Sequence, residues 1–150
     1  MADTVDAAPE RLRSRVTWLI SQTGVHSHRL LSDALASADS RGYHYRLLAA
    51  LDEFGPSSQA ALGCRTDLDR SDVAEALNEL SARDLVERSA DPLDRRRNIV
   101  AITRAGTRQL QRLDELVAEV QDRVLAPLSR SERKTLVRML TRVLEHHTAD

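Results

Sequence analysis

The chain is 150 residues long, 41% apolar and 30% charged, enough for one globular domain whose core needs no disulfide or metal. Its apolar runs (Val16–Ile20, Leu47–Leu51) fall far short of the ~20 residues of a membrane span. Cys64 is the only cysteine, which excludes an internal disulfide and makes a reducing cytoplasm the expected compartment. The formal net charge of −1 gives no global sign of a polyanionic partner, but the distribution does. Only Lys134 among the 22 basic residues is lysine, and six arginines lie between Arg95 and Arg112 with no acid among them.

Residues 1–9 read as a loose acidic tail, and 10–150 as a single domain. From Leu12 the spacing of Val16, Leu19, Ile20, Leu30, Leu31 and Leu35 predicts a helix over 10–37, disturbed near Gly24. A second helix runs from Tyr43 to Phe54, with Leu47, Leu48 and Leu51 inward, and stops at Gly55-Pro56. Ser57 or Ser58 caps a third, ending near Gly63, with Ala60, Ala61 and Leu62 inward. Asp69 caps a fourth whose buried stripe is Val73, Leu77 and Leu80, and whose opposite face carries Ser71, Asp72, Glu75 and Asn78. Leu85–Arg88 and Asn98–Thr103 are the two β-like runs, joined by an arginine-bearing loop over 90–97. A fifth helix runs from Thr103 or Arg104 to about Ala126. Its heptad seam (Leu110, Leu113, Val117, Val120, Val124) suits side-by-side packing between two copies of the chain. Ser129 and Glu132 form a capping box for the last helix, with Leu136, Leu140, Val143 and Leu144 on one face. The expected fold is mainly α: six helices and a two-stranded β wing, in the order α-α-α-α-β-β-α-α.

Helices with a hairpin behind them describe a winged helix-turn-helix. The fourth helix is placed to enter a major groove, and Arg70, Ser71, Asp72, Glu75 and Asn78 are its candidate DNA contacts. The loop carries Asp94, Arg95, Arg96 and Arg97, and guanidinium groups suit both phosphate and the negative potential of a narrow minor groove. Asp94 is expected to hold the Arg96 guanidinium by a bidentate bond.

Asp91-Pro-Leu-Asp94-Arg95-Arg96-Arg97, followed by Val100, Ile102, Thr103 and Gly106, resembles the wing of the MarR family, D-x-x-D-R-R-x-x-x-V-x-L-T-x-x-G. Asp69–Val73, Leu77–Leu80 and Leu85–Arg88 are similar to that family's recognition helix and first wing strand. The resemblance implies an obligate homodimer, with 10–38 and 104–147 as dimerisation helices and 43–103 as the winged head. It also implies double-stranded DNA with a pseudo-palindromic operator as partner, and release by a small aromatic or lipophilic effector. By position, Arg96 would enter the minor groove, Asp94 would orient it, and Arg95 would meet a phosphate. The chain departs from the family in having Asp84 where Gly is common, and in the acids on its fourth helix. Those acids repel phosphate, although a carboxylate accepts from cytosine N4. They also supply the alternative reading, a winged helix that docks a basic protein and has little affinity for DNA.

The remaining features are quieter. Trp18, Tyr43, His44 and Tyr45 lie where the family's effector pocket opens, and core packing is the competing role for them. Cys64 has only Arg65 near it in sequence and reads as a small inert residue. The pairs His26/His28 and His146/His147 do not have metal-site spacing, so no cofactor is expected. No phosphate-cradling glycine loop or nucleophile elbow is present, so no enzyme activity is expected.

Overall fold

The computed structural model describes residues 7–148, so the acidic tail expected over 1–9 falls mostly outside the described residues. The elements are α1 (Glu10–Arg13), α2 (Val16–Ala36), α3 (Gly42–Phe54), β1 (Ser57–Ser58), α4 (Gln59–Thr66), α5 (Arg70–Ala82), β2 (Val86–Ala90), β3 (Asn98–Ile102), α6 (Arg104–Val124) and α7 (Arg130–Thr148). This is the expected winged helix-turn-helix, mostly helical, with two additions. The first helix is divided, and the wing gains a third strand.

The division falls at Ser14–Arg15, not at Gly24. Arg15 is extended (φ −97°, ψ 119°), and the Ser14 hydroxyl donates back to the Arg11 carbonyl at 3.3 Å. Gly24 sits inside an unbroken α2, where a Cβ would meet nothing within 4 Å. A glycine costs such a helix about 1 kcal/mol but does not break it when both flanks are well bonded.

β1 pairs antiparallel with β3 (Ser57 opposite Val100), and β2 pairs with β3 from Val86–Ile102 to Ala90–Asn98, giving the order β1-β3-β2. The Ser58 hydroxyl accepts the Ala61 N–H at 3.2 Å and starts α4. That helix runs three residues past Gly63, so Leu62 and Thr66 are its buried residues and Ala60 is exposed. Asp69 accepts the Asp72 N–H at 2.9 Å and starts α5, whose buried face is Val73, Ala76, Leu77 and Leu80. One continuous core joins Leu35 of α2, Leu47, Leu48 and Leu51 of α3, Leu62, the α5 stripe, Val100 and Leu113.

The heptad seam of α6 is covered within the single chain only in part: Val117 and Val124 are half-buried and line an open groove. Leu110, Leu113 and Val120 are buried within the single chain, where α6 packs along α2. Most of the large apolar side chains left uncovered lie on α1, α2 and α7, where Leu12, Val16, Leu19, Ile20, Val25, Val137, Leu140, Val143 and Leu144 are exposed; Phe54 of α3 and Leu93 of the wing loop are exposed as well. No residue of α7 is buried. Between α2, α6 and α7 a largely apolar groove of ≈ 690 Å³ is lined by Leu19, Ile20, Leu31, Val117, Val120 and Leu140, among others. Among the described residues no helix is long and apolar enough to cross a membrane.

Candidate nucleic-acid interface

The wing is fixed at its base by a compact joint. After α5, Asp84 adopts a left-handed conformation (φ 55°), a turn that Asp tolerates at some cost and that Gly would adopt freely. The Thr103 hydroxyl donates to the Asp84 carbonyl at 2.7 Å and accepts the Gly106 N–H at 3.0 Å, so one side chain ties the turn to the first residues of α6. The Thr103 N–H donates to the Leu85 carbonyl at 3.1 Å. A Cβ on residue 106 would lie 2.0 Å from that same carbonyl oxygen. The Thr-x-x-Gly spacing thus records a contact between α6 and the chain entering β2.

The wing tip is pinned from inside. The Asp91 N–H donates to the Arg97 carbonyl at 2.8 Å, and the Arg97 N–H to the Asp94 carbonyl at 2.9 Å. The Asp91 carboxylate accepts the Leu93 N–H at 2.9 Å. The expected bidentate bond from Asp94 to the Arg96 guanidinium is absent. Asp94 accepts the Arg96 backbone N–H at 3.0 Å, and its other oxygen stands 3.8 Å from Nε of Arg97. A tight turn brings the amide nearer than the end of a long side chain, so Asp94 shapes the loop and leaves the Arg96 guanidinium free to point outward. Arg95, Arg96 and Arg97 are all exposed.

The outer face of α5 holds the other candidates. Arg70, Ser71, Glu75 and Asn78 are exposed and Asp72 is half-buried. Two of these polar groups are already engaged: Ser71 donates to Asp69 at 2.6 Å, and Asn78 accepts from the Arg88 guanidinium at 2.9 Å. The bond from Ser71 and the Asp72 amide hold the Asp69 carboxyl below the usual carboxylate range. Arg88, on β2, has no marked role in the sequence reading; its bond to Asn78 braces the wing against α5. A cleft of ≈ 820 Å³ between the wing and α4 brings together Arg70, Arg96, Arg97, Ser58, Gln59 and Cys64. The cleft thus joins cations from two elements, and Cys64 is exposed at its wall.

The four aromatic candidates have different surroundings in the single chain. Trp18 and Tyr43 are half-buried, and Arg41 lies over the Tyr43 ring at 5.7 Å. Tyr45 donates its hydroxyl to Asp114 of α6 at 2.8 Å; burial and that carboxylate push its pKa up to about 12. His44 is buried with both ring nitrogens occupied, by the Arg41 N–H at 3.1 Å and by Glu79. None of the four lines the cleft or the apolar groove. Among the described residues no group of three or more His, Cys, Asp or Glu could hold a metal ion.

A family model for the MarR family matches residues 39–97. A probable transcriptional regulator from Pseudomonas aeruginosa is 31% identical and superposes with a TM-score of 0.79 over 89% of this chain and 99% of that one. The chain belongs to the MarR family. The PcaV transcriptional regulator from Streptomyces coelicolor, solved in complex with its natural ligand, is 27% identical, with a TM-score of 0.79 over 95% of this chain and 99% of PcaV. The HTH-type transcriptional repressor NicR of Pseudomonas putida is 33% identical over 98 residues, 65% of this chain. The chain spans about three-fifths of the length of the first curated relatives it matches, 60% and 62%. Both of these curated relatives carry names of transcriptional regulators.

Proposed function

We propose that this MarR-family chain is a dimeric, cytoplasmic DNA-binding repressor that grips a pseudo-palindromic operator and is released by a small aromatic or lipophilic effector. The observation that carries the reading is the wing. Its seven-residue loop is held rigid by four hydrogen bonds while three consecutive guanidinium groups remain exposed beside the outer face of α5. A loop ordered in advance loses little entropy on binding, so its charge goes into affinity. In this reading Arg96 enters the minor groove, Arg95 and Arg97 meet phosphates, and α5 presents Arg70, Ser71, Asp72, Glu75 and Asn78 to base edges.

The uncovered apolar faces of α1, α2 and α7 supply the surface for a second copy. Two heads then stand about one DNA turn (~34 Å) apart. An effector seated between the helical arm and the head favours a spacing that no longer matches the operator. The half-buried Asp72 and the exposed Glu75 support a second reading, a winged head that docks a basic protein. Selection from a pool of randomised duplexes separates the two. The DNA reading expects an inverted repeat with half-sites ~10 base pairs apart, bound with a steep loss of affinity as salt rises. Failure to enrich any duplex at low salt removes it.

A further inference from the structure

Besides its bond to the wing, α5 is tied to the turn before α3 by groups that no base-contact role explains. The ends of α2 and α3 meet in the turn Ser37–Arg41, with Asp39 left-handed (φ 52°). This turn is gripped from several elements. Arg83, capping the C-terminus of α5, donates to the Asp39 carbonyl. Gln109 of α6 donates to the Ala38 carbonyl at 2.8 Å and to the Ser40 hydroxyl at 3.0 Å. Arg41 leaves the turn and reaches Glu79 of α5 at 2.8 Å, and the buried His44 ring meets the same carboxylate oxygen.

The tautomer follows from the bonds. Nδ1 of His44 accepts the Arg41 backbone N–H, so the ring proton sits on Nε2 and is donated to Glu79. Burial lowers the imidazole pKa, Glu79 opposes that, and Arg41 and Arg83 reinforce it, so the ring is neutral at pH 7. Partial burial of the Glu79 carboxylate works against ionisation, but the bonds from His44 and Arg41 outweigh it and hold its pKa below the usual value. The result is one carboxylate on α5 with two donors of fixed direction, both rooted at the start of α3. Arg83 makes a second anchor about one helical turn further on.

We propose that Glu79 is a positioning residue for DNA recognition: through Arg41 and His44 it fixes α5 against the α2–α3 turn. The angle at which the outer face of α5 meets a base edge is thereby set by the helical arm. The proposal rests on the DNA-binding reading above and adds to it the route by which a tilt of α2 reaches the recognition helix. Removing the anchor leaves the wing, its arginines and their phosphate contacts in place, but lets α5 rock.

The test uses the full-length protein, the duplex that wild type selects from a randomised pool, and a scrambled duplex of equal length. Glu79→Ala is expected to lose about tenfold in affinity for the selected duplex, the discrimination of roughly one base contact. It is expected to lose nothing on the scrambled one, and the dependence of binding on salt stays the same because no phosphate contact is removed. Arg41→Gln, whose side chain is 46% exposed and whose fold is therefore safe, should move the ratio in the same direction by less. An unchanged ratio in both variants overturns the proposal. So does an equal loss on both duplexes, which is what a merely structural tie gives. Arg96→Ala separates the layers, because it should weaken both duplexes. If wild type binds neither duplex, the DNA-binding reading itself falls and the positioning role with it.

Discussion

Replacing Gly106 by alanine sets two effects of opposite sign against each other. Inside a helix, alanine is favoured over glycine by about 1 kcal/mol. Here the new methyl would stand 2.0 Å from the Leu85 carbonyl oxygen and 2.7 Å from Cγ1 of Ile102. Ile102 can turn its side chain aside, but the carbonyl belongs to the backbone and must retreat by about 1 Å. Leu85 is 6% exposed, and its carbonyl holds the Thr103 N–H at 3.1 Å. Moving it breaks that bond and strands a buried acceptor, a loss of about 1–3 kcal/mol. Overpacking adds a further 1–3 kcal/mol or so. The net expectation is a destabilisation of about 3 kcal/mol. Denaturant unfolding of both proteins at one fixed concentration reads it as a lower midpoint at similar slope. Gly42→Ala is the control, because a Cβ there meets nothing within 4 Å, and it should be neutral or slightly stabilising. A Gly106→Ala variant as stable as wild type would mean that the Thr-x-x-Gly joint is not the steric lock described above.

Three more outcomes follow from particular residues. Cys64 is exposed in the cleft beside Arg96 and Arg97, so a bound operator duplex should slow its alkylation by a maleimide severalfold; equal rates with and without DNA would place the duplex elsewhere. Folding should weaken as pH falls below 6.5, because the unfolded His44 takes up a proton that the buried ring resists, and this contribution is complete above that pH. His44→Gln keeps an acceptor for the Arg41 N–H and should flatten that acid limb of the melting temperature; an unaltered limb would assign it to other groups. The pair Leu140→Glu and Leu144→Glu charges a face that is 45% and 64% exposed in the single chain. Sedimentation should then show a folded monomer, and a persistent dimer would move the contact surface off α7.

Much of the fold was readable because its signals are local. Leu47, Leu48 and Leu51 of α3 and Val73, Leu77 and Leu80 of α5 recur at helical spacing, and all are buried. Asp69, Ser129 and one of Ser57 and Ser58 were recognisable as caps, because their short side chains reach an amide three residues on, and Ser58 is the one that does so. Other features depend on what a segment meets. Ser57–Ser58 has no β character of its own and becomes a strand by pairing with β3. The α6 seam announced an apolar face without saying whose surface covers it; α2 of the same chain covers part of it, and Val117 and Val124 stay half-buried in the groove. Of the site, the wing arginines stand exposed on a pinned loop, while the role of Asp94 depended on the curvature of that loop. The ties of Glu79 to Arg41 and His44 span 38 and 35 residues, and no local pattern marks them. Helical spacing gives Glu79 no role of its own.

The most direct measurement is anisotropy of a selected duplex titrated with wild type and with Arg96→Ala across a range of salt concentrations. A wing-tip guanidinium in the minor groove predicts that Arg96→Ala loses about 1–3 kcal/mol of binding at every salt concentration, with the dimer intact. Superimposable curves for the two proteins would contradict it.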